Sequence, residues 1–524
     1  MSRKTHTGII NLMYNVSIWQ MQSFGMRILV SGMLILSVLI QASNAQNIRG
    51  GKKISNELFG LFFEDINYFA DGGLYAEMVQ NRSFEYSPAE HRGWTPFSYW
   101  DYLSPGFSIG RISAETKEHV HITLQRTKGE VIAGETVAIL TNKWQKYTTS
   151  PSATANSDNA ALVIPAKNEG KLALDMISLF PVNTFKDRHN GLRADLSQLP
   201  ADLKPKFVRF PGGCLVHGKG IGNMYRWKNT IGPVEQSKAQ LNTWGYHQTG
   251  GLGVFEYFQF CADIGAKPVP ILPAAVSCQN SGGTHVIGGA GQKTICMDDM
   301  DEYIQEVLGI IEWANGSSTS GWGAKRAAAG HPEPFNIEHA GIGIEDKITP
   351  EFAERFTMIF QAVKEKHPEI KSIGTSGPFS DGEDFEKGWE LCNKLQVGVI
   401  DEHYYKGPDW FLGNHNRYDK YKRKEPKVYL EEYASCVVDS QTGDVIHRLV
   451  NIGSGTKSMN ADLSRFRNKG TSALQTILAG MLSDENTFED PDRGKPVESE
   501  ITIRKKFDYL APPMSLTVIR IKTT

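Results

Sequence analysis

The chain has 524 residues, 40% hydrophobic and 22% charged, with a formal net charge of −2. That length and composition supply a large core plus accessory modules and exclude a polyelectrolyte or disordered chain. With no basic excess to neutralise phosphates, no nucleic acid partner is expected.

At the N-terminus, Met26-Arg27 precedes the apolar run ILVSGMLILSVLI (28 to 40), and QASNA follows, ending at Ala45. A basic start, a short hydrophobic stretch and small residues before a cleavage point describe a secretory signal. The run is too short for a membrane span. Residues 1–45 are therefore expected to be a signal peptide with an N-terminal extension, and translation could begin at Met26. The mature chain would start near Gln46, secreted or periplasmic, without stable membrane insertion.

The first strand candidate is LFGLFFEDI (58 to 66). Residues 91–178 then lose any strand–helix rhythm; Thr- and Val-rich alternating runs such as HVHITLQ and ETVAILT predict an inserted β-sandwich. From about residue 200, β-branched runs alternate with longer amphipathic segments. The strands are KFVRFPGG (206 to 213), KPVPILPAA (267 to 275), AGIGIE (340 to 345), KSIGTSG (371 to 377), VGVIDEHYY (397 to 405) and KVYLEEYA (427 to 434). Between them, Tyr303, Val307, Leu308 and Ile311 form one helical stripe, and Phe352, Phe356, Ile359, Phe360 and Val363 another. Thr349 and Pro350 mark the start of the second helix. This predicts an α/β fold, a (β/α)8-type TIM barrel built from residues 46–90 and 179–435. Residues 436–524, with DVIHRLVNI and SLTVIRIK, read as a C-terminal β domain.

The six cysteines are scattered without a CxxC pair, and HExxH, P-loop and GxGxxG patterns are absent. No metal or cofactor is expected, and most cysteines should be buried thiols.

Barrel active sites lie at the C-terminal ends of the strands. There the sequence places Glu64 after the first strand, Cys214 after the second and Glu345 after the fourth. His403 and Tyr405 follow the sixth, and Glu431-Glu432 the seventh. Acids facing each other across the mouth suit glycoside hydrolysis, in which one protonates the leaving oxygen and the other attacks or activates water. Each has a plainer reading. A glutamate at a strand end is commonly a solvated loop acid, His403 alone a core histidine, and Asp346 a helix-start acid favoured by the dipole. Glu431 and Glu432 point to opposite sides, so only one can face the site.

GLFFEDINYFADGGLYAEMVQNRSFEY (60 to 86), RFPGGC (209 to 214), YRWKNTIGP (225 to 233), GLGVFEYFQFCADIGAKPVPIL (251 to 272), DEHYY (401 to 405) and EEYAS (431 to 435) resemble glycoside hydrolase family 51, mainly α-L-arabinofuranosidases. The resemblance covers roughly 55–90 and 175–435. It implies a retaining mechanism on a (β/α)8 barrel with an appended β-sandwich, acting on arabinose-containing hemicellulose or arabinan fragments. In longer bacterial members it also implies an inserted sandwich of carbohydrate-binding-module type, matching 91–178. It implies Glu345 as general acid/base, Glu432 as nucleophile, Glu64 and Cys214 as sugar-binding positions, and Tyr405 as the residue orienting the nucleophile. His403 joins the expected substrate-binding set. Glu345 should remain protonated near neutrality. Members are often oligomeric, though no interface for a homo-oligomer can be read from this chain.

Two departures stand out. The family has Asn before the acid/base, donating to the sugar 2-hydroxyl; here Ile344 stands there and cannot donate. After Ser435 the chain passes directly into CVVDSQTGDVIHRLVNIG, leaving no eighth barrel strand to be read. The alternatives are another retaining glycosidase, such as a xylosidase or endoglucanase, and a catalytically impaired carbohydrate-binding pseudoenzyme.

Overall fold

The computed structural model describes residues 57, 59–101, 118–126, 128–139, 143–157, 159–165, 173–280, 291–414, 416–421, 427–429, 437–438, 442–451, 454–464, 471–480 and 493–522. The signal-like segment 26–45 lies outside them, as do Glu431, Glu432 and Cys436. Among the described residues no helix is long and apolar enough to cross a membrane. The described residues divide into two compact units, one within 54–431 and the other within 432–524.

The first unit is built on seven strands that pair in chain order, every neighbour parallel. They are β1 (Leu61–Phe62), β2 (Phe207–Phe210), β3 (Lys267–Leu272), β4 (His339–Ile342), β5 (Lys371–Thr375), β6 (Val399–Asp401) and β7 (Lys427–Tyr429). Six fall within the runs read as strands from the sequence, and β4 begins one residue earlier than its run, at His339. Helices α1 (Val254–Ile264), α2 (Met300–Asn315), α3 (Pro350–Lys366) and α4 (Glu383–Leu395) fill the crossovers after β2, β3, β4 and β5. The α/β barrel fold class is thus the one observed. No eighth strand joins the sheet among the described residues.

Near-continuous apolar strands are what a sheet covered on both faces requires, and β3 is buried along five of its six residues. Inside the barrel, Val216, Val269, Ile271, Ile344, Ile373 and Val399 form one cluster. Outside, the two helical stripes pack as their spacing demands. Phe352, Phe356, Ile359, Phe360 and Val363 of α3 are all buried, as are Tyr303, Val307 and Ile311 of α2. The start of α3 is also as read. Pro350 occupies the first turn, and the Thr349 hydroxyl accepts from the Phe352 N–H at 3.2 Å.

Between 91 and 178 the described residues form one antiparallel sheet, Val131–Ile139, Glu118–Arg126 and Ala160–Val163. The described residues of the second unit form only β-strands and their connections. Its five-stranded antiparallel sheet runs Val437–Val438, Val445–Asn451, Ser515–Ile521, Ser472–Ala479 and Val497–Thr502, and Lys457–Asp462 pairs with Lys506–Ala511. Val445, Leu463, Ile503, Ile519 and Ile521 make its core.

Removing the Phe356 ring, which is wholly buried, should cost about 3–5 kcal/mol, against about 1 kcal/mol for Thr349→Ala at the helix cap. Denaturant unfolding of both variants checks this order; equal losses would mean that α3 is not anchored through its apolar face.

Candidate active site

Each strand end delivers its side chain for a local reason. After β1, Glu64 folds back against the turn that follows β2. A Cβ on Gly212 would stand 2.5 Å from Glu64 Cγ, and one on Gly213 would stand 3.2 Å from Glu64 Oε2. The two glycines of RFPGGC therefore let a carboxylate reach the backbone, where Leu215 N–H points at Oε1 at 3.5 Å. A short hairpin, Gln240–Leu241 with His247–Gln248, presents Trp244, whose indole N–H donates to Glu64 Oε1 at 3.3 Å. Asn242 anchors this hairpin through its amide to the Asp65 carbonyl at 2.9 Å, and Tyr246 donates to Asp65 Oδ1 at 2.9 Å. Burial raises the Glu64 carboxyl above the ordinary value, with the N–H donors opposing it.

Glu345 sits in a left-handed conformation, φ 53°, directly after β4. It is only 7% exposed. Its Oε1 accepts from the Tyr405 hydroxyl and from His403 Nδ1 at 2.8 Å, and Cys214 Sγ lies 4.0 Å from its Oε2. His403 Nε2 in turn lies 2.9 Å from Asp401 Oδ2, and Arg209 Nη2 reaches the same oxygen at 2.7 Å. A buried line of alternating charge therefore runs Arg209, Asp401, His403, Glu345. Residues 401, 403 and 405 contribute to it because an extended segment turns alternate side chains to one side. Glu402, from the other parity, is enclosed by the Trp389 indole at 2.8 Å, the Tyr421 hydroxyl at 2.8 Å and the Tyr404 hydroxyl.

The structure thus brings Glu64, Cys214, Glu345, His403 and Tyr405 to one rim of the barrel. Glu432 lies outside the described residues, so the separation of the two carboxyl groups, about 5–5.5 Å in a retaining pair, stays an expectation. His403 has both ring nitrogens committed to carboxylates, which makes it a holder of Glu345. Burial opposes its charge, yet Asp401 and Glu345 together raise it to about 9. Burial likewise pushes the Glu345 carboxyl up, but His403 and Tyr405 outweigh it and hold it below the ordinary value. This differs from the protonated acid read from the sequence: the imidazolium and phenol beside Glu345 favour its charged form.

Asp346 is a second correction. Read from the sequence as a helix-start acid favoured by the dipole, it is instead fully buried in the turn before the helix: its Oδ2 accepts from the Ile344 N–H at 2.8 Å, and its Oδ1 lies 2.9 Å from His217 Nε2. His217 is equally buried, and although burial works against its charge, Asp346 raises it to about 10. A Cβ on Gly343, φ 76°, would stand 2.4 Å from Asp346 Oδ2, so glycine there admits the carboxylate that fixes the turn. Ile344 is wholly buried in the barrel's inner apolar cluster. Arg209, Asp401, His217 and Trp244 were missed as site residues. The parity of DEHYY could have indicated Asp401, and RFPGG contains Arg209; nothing local marks His217 or Trp244.

Comparison with known proteins fits this rim. Residues 199–423 match the family model described as the α-L-arabinofuranosidase 1 domain. An extracellular exo-α-L-arabinofuranosidase of Streptomyces chartreusis is 38% identical over 440 residues, 74% of this chain and 52% of that protein. α-L-Arabinofuranosidase 1 of Arabidopsis thaliana is 29% identical over 480 residues, 79% and 65% of the two chains. The chain thus spans about half the Streptomyces relative and just under two thirds of the Arabidopsis one. The arabinose-bound MgGH51 α-L-arabinofuranosidase superposes with a TM-score of 0.76 at 23% identity, covering 89% of this chain and 98% of that one, a likeness of fold.

The charges set a pH window. His403 and His217, raised from 6.5 to about 9 and about 10, contribute stability that is complete below pH 6.5 and is lost as pH rises through those values. Glu345 and Asp401, both lowered, contribute stability that is lost as pH falls below the ordinary carboxylate range. Thermal melting should therefore be highest at about pH 5–6.5 and decline on either side. His403→Gln should flatten the decline between pH 6.5 and 9; an unchanged slope would show that His403 is not charged in the folded protein.

Proposed function

We propose that this chain belongs to the α-L-arabinofuranosidases of glycoside hydrolase family 51 and releases terminal α-L-arabinofuranosyl groups from arabinose-containing hemicellulose or arabinan fragments with retention of configuration. The carrying observation is Glu345, buried at the end of β4 and bonded by His403 and Tyr405 on the rim that also holds Glu64 and Cys214. Relatives bearing the arabinofuranosidase name support the substrate class.

In this reading Glu432 attacks the anomeric carbon while Glu345 protonates the departing oxygen, and Glu345 then draws the proton from the water that hydrolyses the glycosyl-enzyme. The second step suits Glu345 as the structure holds it, because a carboxylate kept ionised is ready to act as base. The first step needs it protonated. A bound sugar that excludes water, and the charge of Glu432 nearby, both shift Glu345 in that direction. Glu64 and Cys214 offer a carboxylate acceptor and a weak thiol donor to sugar hydroxyls. The signal-like segment at 26–45 and the Streptomyces relative's description as extracellular support export.

A carbohydrate-binding protein of weak turnover is the second reading, favoured by Ile344. If the missing amide supplied about 3 kcal/mol at the transition state, its absence slows the reaction roughly a hundredfold.

Purified protein should hydrolyse p-nitrophenyl α-L-arabinofuranoside in preference to the β-D-xyloside, and Glu345→Gln and Glu432→Ala should each abolish this. Binding of an arabinose oligosaccharide without hydrolysis would establish the second reading, and preference for the xyloside would move the enzyme to another glycosidase class. Ile344→Asn should raise kcat while lowering the melting temperature, since a buried amide replaces an apolar side chain. A folded variant with unchanged kcat would remove the role assigned to position 344.

A further inference from the structure

A turn beside the rim holds two aromatic rings outward. Phe97 is 55% exposed and Tyr99 58%. Beneath them Asn81, itself buried, donates from Nδ2 to the carbonyls of Pro96 and Ser98, both at 2.9 Å. The Asn81 carbonyl accepts from the Trp100 indole at 3.0 Å. Within the turn, the Thr95 N–H donates to Ser98 Oγ at 2.9 Å, and the Trp100 N–H to the Phe97 carbonyl at 2.8 Å. The backbone takes φ 69° at Tyr99 and φ 52° at Asn81. A bulky ring adopts that left-handed conformation only where its surroundings impose it. Here the imposed conformation presents the rings instead of burying them.

Direct contacts tie this turn to the sugar site. The Tyr99 ring meets the buried Tyr86 edge to face at 5.6 Å, and Tyr86 packs on His247 at 4.7 Å. His247 Nδ1 lies 3.0 Å from Glu90 Oε1. His247 belongs to the hairpin whose Trp244 donates to Glu64. The path from Glu64 to the exposed rings is therefore one of packed neighbours. Adjacent exposed aromatics that continue a ligand site mark a binding surface.

We propose that Phe97 and Tyr99 form a stacking platform for the neutral pyranose main chain of a hemicellulose, beyond the arabinofuranosyl group that enters the rim. This rests on the function proposed above and adds the polymer as the preferred form of its substrate. A pyranose chair presents a flat face of axial C–H groups, which packs on an aromatic face while its equatorial hydroxyls stay in water. The puckered furanose rings of an arabinan main chain offer no such face. Neither ring touches the reacting atoms, so the platform acts on polymer binding and not on the chemical step.

Kinetics on p-nitrophenyl α-L-arabinofuranoside, arabinoxylan and linear arabinan would be compared for the full chain, Phe97→Ala, Tyr99→Ala and Tyr99→Phe. Each alanine variant should raise KM for arabinoxylan about five- to tenfold, the effect of one lost aromatic contact. The kcat, the KM for arabinan and hydrolysis of the small glycoside should not change, and Tyr99→Phe should keep the original KM. An unmoved arabinoxylan KM in both alanine variants would overturn the platform. An equal rise on arabinan would overturn the pyranose assignment, and an equal loss on the small glycoside would show that the rings support the rim instead. If the unaltered protein hydrolyses nothing, the proposed function fails. Its retention on insoluble arabinoxylan, weakened in Tyr99→Ala, then decides the platform alone, and equal retention of the two would overturn it.

Discussion

The rim of this barrel depends on charge compensation in a place that water hardly reaches. Asp401 and Arg209 are each 4% exposed and Glu345 is 7% exposed. An isolated carboxylate at that depth would carry a desolvation penalty of several kcal/mol and would take up a proton instead. The line from Arg209 through Asp401 and His403 to Glu345 avoids this by alternating sign at every step. Its members come from β2, from the end of β6 and from the end of β4, so the electrostatics tie together strands that do not lie side by side. Removing any member leaves a neighbour uncompensated, which is more damaging than never having built the pair. The same contacts set the chemistry, for what keeps Glu345 buried also keeps it ionised.

A second buried pair fixes where Glu345 points. The backbone at Gly343 and Glu345 takes positive φ, a conformation that β-branched and bulky residues avoid and that persists only where the surroundings determine it. Asp346 supplies that determination by accepting the Ile344 N–H across the turn, and His217 holds Asp346 from the helix that begins with Cys214. The candidate acid and the candidate sugar-binding thiol are thus joined beneath the rim by one ion pair. The two acids of the IED sequence divide the labour: one faces the site, and the other holds the turn that aims it.

Much of this was legible in the chain because the relevant signals are local. Strands β2 to β7 announce themselves as β-branched runs, and α2 and α3 as apolar stripes, since burial of one face selects residues at a fixed period. Glu64, Cys214, Glu345, His403 and Tyr405 could be placed at one rim because each follows the end of a barrel strand. What stayed hidden is long-range or too short to show periodicity. Asp346 precedes a well-capped helix, so local reasoning assigned it to that helix; only the fold brings His217 beneath it. The hairpin presenting Trp244 has two-residue strands, too brief for any alternation. The protonation of Glu345 was misjudged for a related reason, because the sequence puts His403 and Tyr405 near the mouth without saying which oxygen they face.

Ile344 joins fold and function most closely. Its side chain completes an apolar cluster with Val216, Val269, Ile271, Ile373 and Val399 inside the barrel. Burying such a side chain is worth about 1.5–3 kcal/mol, whereas an amide in the same surroundings would need partners that the cluster does not offer. Isoleucine therefore stabilises the inner barrel at the position where the family resemblance implies a donor to the sugar. Functional positions commonly trade stability for reactivity, and here the trade has moved toward stability. The charged line at the rim is unaffected, because it is the Ile344 backbone N–H, not its side chain, that donates to Asp346. The turn that aims Glu345 can thus survive a change in the residue before it. An acid can remain correctly placed while a neighbouring contact that would strengthen at the transition state is lost, which separates recognition of a sugar from the rate of its cleavage.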